Sequence, residues 1–312
     1  MNPITLENIT KTYEKGKILA VDDVSFSVND SEMFGLIGPD GAGKTSIFRI
    51  LTTLLLPDKG TATVCGKDVV KEYKAIRGMV GYMPGRFSLY QDLSVEENLN
   101  FFASLFNTSI KQNYELIRDI YIQLEPFKDR RAGKLSGGMK QKLALCCALI
   151  HKPSVLFLDE PTTGVDAVSR FEFWEMLKRL KNQGITILVS TAYMDEVTHC
   201  DRIALMQNGK ILDMETPNNI IKSYPEKLFE LKGEKKHKLL KDVITYQEAV
   251  GSYASGESIH VTFEKNQKTD AEIIKGLKNF LEQKGHQRIE IMATIPNIED
   301  CFLSLTKTEI HG

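Results

Sequence analysis

Apolar and polar residues alternate in two early segments, 4–9 (ITLENI) and 18–28 (ILAVDDVSFSV), as they do in half-buried strands. Nearly continuous apolar runs occur at 33–38 (MFGLIG), 155–160 (VLFLDE) and 185–191 (ITILVST). Short runs of this kind are typical of parallel strands that are buried on both faces. The pattern predicts a parallel sheet with an antiparallel β-layer beside it.

Helical spacing appears between these strands. It predicts a helix at 46–56 that stops at Pro57, helices within 94–125 and a helix at 167–181. Residues 202–214 read as a hairpin around Asn208-Gly209, because this dipeptide suits a tight two-residue turn. Strands that alternate with helices predict an α/β core.

The composition changes near 223–227 (SYPEK), which predicts a separate small α+β domain at 225–312. The charged stretch 233–238 (GEKKHK) reads as a solvated loop. Further along, the pattern predicts a strand at 258–264, a helix at 271–285, a strand at 289–295 and a final amphipathic helix at 297–307.

The composition excludes several classes of protein. Forty basic and forty-one acidic side chains give a net charge of −1, so we expect no nucleic-acid partner. The five cysteines are scattered, which favours buried thiols in a reducing compartment. The polar start predicts no secretory signal, and no apolar run approaches the ~20 residues that span a bilayer. If the protein works at a membrane, another chain must span it.

The stretch 38–46 (GPDGAGKTS) has the spacing of a phosphate-binding loop between a strand and a helix. Glycines allow backbone N–H groups to approach phosphate oxygens, and the helix N-terminus adds a positive dipole. Lys44 would supply a charge to the β- and γ-phosphates, and Thr45 a hydroxyl to Mg²⁺. The candidate nucleotide contacts are Gly38, Pro39, Asp40, Gly41, Ala42, Gly43, Lys44, Thr45 and Ser46.

The run VLFLDE ends in Asp159 and Glu160. Asp159, at the carboxyl end of a buried strand, is a candidate Mg²⁺ ligand, and Glu160 is placed to polarise an attacking water. An Asp-Glu pair at this position could also cap a helix. Because it follows a phosphate-binding loop, we favour the catalytic interpretation, with Lys44, Asp159 and Glu160 as the catalytic residues.

The stretch 135–150 (LSGGMKQKLALCCALI) carries Ser136 as a candidate helix N-cap, with Gly137 and Gly138 behind it. Together with the two preceding motifs, it resembles the signature of ABC (ATP-binding cassette) ATPases. The resemblance covers residues 1–222 and implies a P-loop nucleotide-binding domain with a helical subdomain at about 86–150.

The resemblance adds positions that the residues alone do not assign. It implies that Tyr13 stacks on adenine and that the loop ending at Asp166 crosses between paired cassettes. In this family, Ser136, Gly137 and Gly138 of one protomer complete the ATP site of the other. It therefore implies ATP and Mg²⁺ as ligands, hydrolysis, and a homodimer or a heterodimer with a second cassette.

Two positions depart from the family pattern. Gly85 stands where the family usually has a glutamine, and Ala192 where it usually has a histidine that senses the γ-phosphate. Either the site is slow or partly degenerate, or a neighbour (Arg86, Thr191 or Tyr193) takes over the polar role. Since Lys44 and Glu160 are present, we expect weak Mg-ATPase activity.

The segments 82–102, 162–166 and 193–206 look most like those of bacterial ATPase subunits of multidrug or ABC-2-type exporters. This implies a separate integral-membrane permease and a peripheral location on the cytoplasmic face of the cell membrane. The permease would touch residues at about 86–110. The candidate docking residues there are Phe87, Leu89, Tyr90, Phe101, Phe102 and Phe106.

Two other functions are compatible with these motifs: a soluble ABC-type regulator, and a nucleotide-gated switch that hydrolyses weakly and transports nothing. The role of the C-terminal domain has two candidates, dimer support and ligand sensing.

Overall fold

The computed structural model describes residues 2–86, 88–265 and 268–311, with side chains through residue 306. The chain divides between Pro217 and Asn218 into two compact units. The composition change at 223–227 places the division a few residues later. The assignment of 1–222 and 225–312 as functional domains stays a prediction.

The first unit combines two sheets with surrounding helices. Its strands are β1 Ile4–Tyr13, β2 Ile18–Val28, β3 Met33–Ile37, β4 Lys59–Val64, β5 Lys67–Asp68, β6 Val80–Met83, β7 Val155–Asp159, β8 Thr186–Thr191, β9 Arg202–Gln207 and β10 Lys210–Glu215. Its helices are α1 Lys44–Leu51, α2 Tyr73–Met79, α3 Val95–Leu105, α4 Ile110–Tyr121, α5 Gly137–Leu149 and α6 Ala167–Asn182. Short 3₁₀ turns lie at Glu14–Gly16, Glu125–Phe127, Ala132–Lys134 and Met194–His199.

The main sheet has the order β10-β9-β3-β8-β7-β6. Its pairs are parallel except β9 with β10, which forms the predicted hairpin. Strand β8 lies between β3 and β7, with Ile37 opposite Thr191 and Asp159 opposite Ser190. The carboxyl ends of β3 and β7 therefore meet at one edge of the sheet, which is where parallel sheets hold ligands.

The other sheet is antiparallel, in the order β2-β1-β4-β5. Ile4 lies opposite Val28 on one side and Val64 on the other. The inward side chains of this sheet share one core with the main sheet, where Phe26 stacks on Phe34 at a centroid distance of 5.3 Å. The predicted α/β fold with an antiparallel β-layer is confirmed.

Helix α1 ends at Leu51, so the prediction of a helix to residue 56 was wrong. Thr53 has a left-handed backbone (φ +62°), and the N–H groups of Leu54 and Leu55 both donate to the carbonyl of Arg49. Leu54 is 59% exposed and Leu56 62% exposed, so no core covers a continued helix face. Apolar spacing alone does not reveal this turn.

The helical part of the first unit contains α3, α4 and α5. The predicted capping box is confirmed: Ser94 accepts from the N–H of Glu97, whose carboxylate accepts from the N–H of Ser94. Asn98, which is fully buried, accepts from the N–H of Tyr90 and donates to the carbonyls of Tyr90, Leu93 and Ser94. Asn98 thus ties the loop before α3 to the helix.

The second unit starts within α7 Pro217–Lys222 and continues with β11 Glu226–Lys232, α8 Lys236–Ile244, β12 Gly251–Ser255, β13 Ser258–Glu264, α9 Asp270–Gln283, β14 Glu290–Thr294 and α10 Ile298–His311. Its sheet is antiparallel in the order β12-β13-β11-β14, and apolar residues of α8 and α9 pack with it. Asp300 of α10 accepts from Tyr253 and contacts His260 at 2.7 Å. This is the predicted α+β unit.

Four of its elements were not predicted: α7, β11, α8 and β12. The charged stretch 233–238 is not a loop throughout, because Lys236–Lys238 form the first turn of α8. Leu239 and Val243 of this helix are buried, while Lys238 and Lys241 are exposed. The sequence pattern did not predict this helix because its first turn is charged and its buried apolar residues follow that turn.

Replacing Asn98 with alanine should destabilise the protein by about 2–3 kcal/mol, because it leaves buried backbone groups of the preceding loop without partners. A lower midpoint of urea unfolding would measure this. Asn100→Ala, at an exposed position of the same helix, is the matched control and should change stability by less than about 0.5 kcal/mol. Equal effects from both variants would contradict the role assigned to Asn98.

Candidate nucleotide-binding site

Two glycines of the loop 38–45, Gly38 and Gly43, are required by close backbone contacts. A Cβ on Gly38 would lie 2.1 Å from the carbonyl oxygen of Met206. A Cβ on Gly43 would lie 2.2 Å from the carbonyl oxygen of Ala20, and Gly43 also has φ +105°. Gly43 is the N-cap of α1, so the loop leads directly into a helix N-terminus, the usual position for an anion.

Lys44 is only 3% exposed, and its ammonium group lies inside the loop. Its Nζ donates to the carbonyls of Gly38 at 2.7 Å and Pro39 at 3.0 Å. It also forms an ion pair with Glu160 Oε1 at 3.2 Å. The motif of 38–45 and the end of β7, far apart in sequence, therefore meet through a direct charge contact.

Ser190 of β8 fixes the end of β7. Its hydroxyl donates to Asp159 Oδ1 at 2.7 Å, and the N–H of Glu160 donates to Ser190 Oγ at 3.0 Å and to its carbonyl at 3.1 Å. Glu160 has a left-handed backbone (φ +50°), which is unusual outside glycine and typical of functional positions. Sequence reasoning missed Ser190, although a hydroxyl in an otherwise apolar strand was the available signal.

Two cavities meet at these residues. The loop cavity, of about 350 Å³, is lined by Ala20, Asp40, Gly41, Ala42, Gly43, Lys44, Thr45, Ser46 and Glu160. The strand-end cavity, of about 540 Å³, is lined by Thr45, Arg49, Tyr82, Pro84, Gly85, Arg86, Asp159 and Glu160. Thr45 and Glu160 line both, so the predicted phosphate, metal and catalytic residues surround contiguous space.

The strand-end cavity has an oxygen donor set that suits Mg²⁺. Thr45 brings a hydroxyl and Asp159 a buried carboxylate. Mg²⁺ is usually held by one or two protein oxygens together with phosphate oxygens and waters. Tyr82 lines the same cavity, and burial together with the charge of Asp159 raises its pKa to about 12, so its phenol stays neutral.

Tyr13 ends β1, and its hydroxyl lies 3.1 Å from Ser46 Oγ. This contact holds the ring beside the first turn of α1. Tyr13 is not among the described residues that line the loop cavity. Its stacking on adenine stays a prediction.

Ser136 is the N-cap of α5 and accepts from the N–H of Met139 at 3.3 Å, as predicted. Gly138 is buried, and a Cβ there would lie 2.6 Å from Ser169 Oγ. Ser136 and Gly137 are exposed at this helix N-terminus. None of the three is among the described residues that line the loop cavity of their own chain.

Asp166 is the N-cap of α6, and its Oδ1 accepts from the N–H of Ser169 at 3.0 Å. This hydrogen bond lowers the pKa of Asp166. Because Ser169 also contacts Gly138, the starts of α5 and α6 form one exposed corner of the unit. The predicted inter-cassette residues are together there, away from the loop cavity.

Gly85 lies beside the end of β7. A Cβ on Gly85 would lie 3.1 Å from the carbonyl oxygen of Asp159 and 3.8 Å from Glu160 Cβ. A longer side chain here could therefore reach the strand-end cavity. Arg86, the next residue, lines that cavity already.

The other candidate substitutes are engaged elsewhere. Next to Ala192, Thr191 is buried, and its hydroxyl donates to Glu196 Oε2 at 2.6 Å while accepting from the N–H of Tyr193. The ring of Tyr193 lies under the guanidinium of Arg170, 4.9 Å from its centroid. Of the three predicted substitutes, Arg86 is the one that lines the strand-end cavity.

A third cavity, the apolar groove, has a volume of about 330 Å³. It is lined by Thr52, Leu54, Arg77, Val80, Tyr82, Met83, Pro84, Arg86, Ser88, Leu89, Phe102, Phe106, Gln141, Ala144, Cys147, Ala148 and His151. Tyr82, Pro84 and Arg86 line both this groove and the strand-end cavity. The segment 82–86 is therefore a shared wall.

Some of the predicted docking residues line the apolar groove and others do not. Leu89, Phe102 and Phe106 line the apolar groove. Tyr90 is half exposed and packs edge-on against Phe101 at 4.8 Å, outside the groove lining. Phe87 lies outside the described residues.

Comparison with known proteins identifies the family of the chain. The sequence profile of the ABC transporter family matches residues 21–163. The chain is 34% identical over 312 residues to a Nod factor export ATP-binding protein I of Rhizobium sp. (strain N33), covering 99% of this chain and 98% of that protein. The chain belongs to the ATP-binding proteins of ABC transporters.

Other relatives extend the comparison. The "Probable multidrug ABC transporter ATP-binding protein YbhF" of Escherichia coli (strain K12) is 38% identical over 307 residues, which is 97% of this chain. The chain spans about half the length of that relative, 52%.

Solved structures share the fold. An ATP-binding subunit of an ABC transporter superposes with a TM-score of 0.64 at 26% identity, covering 71% of this chain and 92% of that one. A dimeric ATP-binding cassette in a post-hydrolysis state, bound to ADP and Pi, gives 0.62 at 25% identity, covering 68% and 98%. The ABC ATPase cassette fold is thereby confirmed.

Gly43→Ala should lower nucleotide affinity at least about 10-fold, because the new methyl group would clash with the carbonyl of Ala20 and force the loop open. Titration with a fluorescent ATP analogue measures this. Gly16→Ala is the matched control: Gly16 is also left-handed (φ +92°), but a Cβ there meets nothing within 4 Å. It should cost about 1–2 kcal/mol of stability and leave affinity unchanged. Normal affinity in Gly43→Ala would contradict the geometry.

Proposed function

We propose that this chain binds ATP with Mg²⁺ at the 38–46 loop, pairs with a second cassette around the nucleotide, and drives export by a separate membrane permease. The observation that carries the proposal is the meeting of Lys44, Thr45, Asp159 and Glu160 around contiguous cavities. Its family membership supports the nucleotide part. The proposals that the chain pairs with a second cassette, works with a permease and drives export are supported by the relatives and by the surfaces described below.

Lys44 takes the phosphate side of the reaction. In the structure its ammonium group is held by Gly38, Pro39 and Glu160. A triphosphate would compete for this cation and draw it away from Glu160. The carboxylate would then be free to orient a water toward the γ-phosphate, while backbone N–H groups at the start of α1 hold the other oxygens.

Thr45 and Asp159 are the residues that would hold Mg²⁺, which supplies charge neutralisation for the β- and γ-phosphates. Asp159 is kept in place by the hydroxyl of Ser190. This hydrogen bond fixes the orientation of the buried carboxylate, so Asp159 would be preorganised as a ligand. Tyr13 would contribute a stacking face for adenine, because it is held next to Ser46.

The pairing with a second cassette is inferred from the exposed corner at Ser136, Gly137 and Asp166. An N-capped helix start that is exposed and carries two glycines offers backbone N–H groups to an anion on another molecule. In a single chain these residues lie outside the loop cavity lining. A dimer would place this corner over the nucleotide of its partner, either a second copy or a related cassette.

The permease would dock at the apolar groove, on the other side of the segment 82–86. Among the described residues no helix has both the length and the apolar character that a membrane crossing requires. Docking on a membrane-embedded permease would hold the chain at the cytoplasmic face of the membrane. Because Tyr82, Pro84 and Arg86 line both cavities, movement at one can be transmitted to the other.

Gly85 and Ala192 lower the rate of ATP hydrolysis that we expect. Both positions lack a side-chain donor, and one donor directed at transition-state charge is worth about 10²–10³ in rate. Arg86 lines the strand-end cavity and can supply part of this charge. We therefore expect slow hydrolysis. The same two residues favour the second candidate function, a nucleotide-gated switch.

The purified protein should hydrolyse ATP slowly when Mg²⁺ is present and stop when it is chelated. The rate should exceed that of Glu160→Gln, which keeps the size of the side chain and removes the base. Combining Gly85→Gln with Ala192→His should raise kcat at least about 10-fold by restoring two polar groups. A phosphate-release assay measures all of these rates.

Combining Gly85→Leu with Ala192→Leu adds volume at both positions without a donor and should not raise kcat, so it is the control for the combined Gly85→Gln and Ala192→His variant. A protein that binds ATP but turns over no faster than Glu160→Gln would contradict the ATPase proposal. That result would favour the nucleotide-gated switch.

A further inference from the structure

Glu196 is a buried carboxylate that joins two loops near the nucleotide site. It is 4% exposed and lies in the 3₁₀ turn Met194–His199. Its Oε2 accepts from the hydroxyl of Thr162 at 3.0 Å and from the hydroxyl of Thr191 at 2.6 Å. Both threonines are buried as well. Because a buried polar group without a partner costs free energy, these three side chains hold one another in place.

Thr191 connects Glu196 to the phosphate side of the site. Its carbonyl accepts from the N–H of Gly38, the first residue of the phosphate loop, at 3.4 Å. Its hydroxyl accepts from the N–H of Tyr193 at 3.0 Å. The backbone is therefore fixed on both sides of Ala192, which occupies the position predicted to face the γ-phosphate.

Thr162 connects Glu196 to the exposed corner. The carbonyl of Thr162 accepts from the N–H of Val165 at 3.2 Å. The next residue is Asp166, the N-cap of α6. Since Asp166 belongs to the surface that we propose for pairing, a shift of this surface reaches Glu196 through one short turn.

A second contact joins Glu196 to α6. Arg170 Nη1 lies 3.8 Å from Glu196 Oε1, which accepts no hydrogen bond in the part of the chain that the structure describes. The same guanidinium lies over the ring of Tyr193, 4.9 Å from its centroid. A movement of about 1 Å would bring Arg170 to the distance of a charge-assisted hydrogen bond. One oxygen of Glu196 is thus already bonded, and a small shift of α6 can engage the other.

We propose that Glu196 is a positioning residue for ATP hydrolysis, which couples the turn at 162–166 to the backbone at 191–193. This rests on the proposed function, because a second cassette is what would move the turn. Glu196 is not among the described residues that line the loop cavity or the strand-end cavity. It therefore acts through Thr191 and not on the nucleotide itself, as buried networks with two arrangements can do.

Thr162→Val and Thr191→Val test the coupling, since each removes one hydroxyl and changes the shape of the side chain little. Glu196 is left in place, because its loss would leave two buried hydroxyls without an acceptor and lower stability by itself. Phosphate release by the full chain with Mg-ATP gives kcat and KM. Each variant should lower kcat about 3- to 30-fold, as expected for an interrupted coupling network, and change KM less than about 2-fold.

The variant with both valines should be no slower than the slower single variant, because both hydroxyls act through one oxygen of Glu196. Thr162→Ser and Thr191→Ser keep the hydroxyl and should retain kcat. In the Glu160→Gln background, Thr162→Val should still pair when ATP is added, which separates a loss of coupling from a loss of pairing.

Thr186→Val is the matched control. Thr186 is buried in the same strand, β8, and its hydroxyl accepts from the N–H of Ser31 at 3.0 Å. This substitution should lower the midpoint of urea unfolding about as much as the other two valine variants do, because each removes one buried hydrogen bond. It should leave kcat unchanged.

The positioning role is overturned if Thr162→Val keeps normal kcat, if the two valine substitutions act independently, or if the serine variants are as slow as the valine variants. It is also overturned if Thr162→Val abolishes pairing or if Thr186→Val lowers kcat equally. In each of these cases an unaltered chain that outpaces Glu160→Gln leaves the proposed function standing. If the unaltered chain is no faster than Glu160→Gln, the proposed ATPase activity fails, and the positioning role fails with it.

Discussion

The site depends on the contacts of the Lys44 ammonium group. This group is buried, and it bridges two carbonyls of its own loop and the carboxylate that follows β7. A buried cation needs such partners, because removing it from water is costly. The same contacts hold the phosphate loop next to the end of β7 before any nucleotide binds. When ATP binds, phosphate oxygens would replace these contacts of Lys44, and Glu160 would be released.

The fold makes this contact possible and extends it outward. Because β8 separates β3 from β7 in the main sheet, the loop after β3 and the end of β7 lie on either side of Ser190, which orders both acidic residues. Helix α1 then runs from Lys44 to Leu51 and is followed by the left-handed turn at Thr53, whose hydroxyl accepts from Arg77 Nε at 2.8 Å. One short helix thus connects the phosphate loop with the wall of the apolar groove.

Much of this could be predicted from the sequence. The loop glycines, Lys44, Asp159 and the cap at Ser136 are local features with fixed spacing, and each lies where its motif predicts. The early end of α1, the role of Ser190 and the buried Asn98 could not be predicted, because they depend on neighbours that are distant in sequence. In the second unit, α8 was missed because its charged first turn outweighs its buried Leu239 and Val243. Tertiary contacts decide such positions.

The central claim is that ATP joins the Lys44 loop of one cassette to the Ser136 corner of another. Sedimentation of Glu160→Gln with ATP and Mg²⁺ tests it most directly, because slow hydrolysis then cannot separate the pair. We predict a shift from the monomer mass to twice that mass with ATP and not with ADP, and loss of the shift when Ser136→Arg is added. A nucleotide-loaded Glu160→Gln protein that stays monomeric, both alone and mixed with any cassette recovered from its own membranes, would contradict the account.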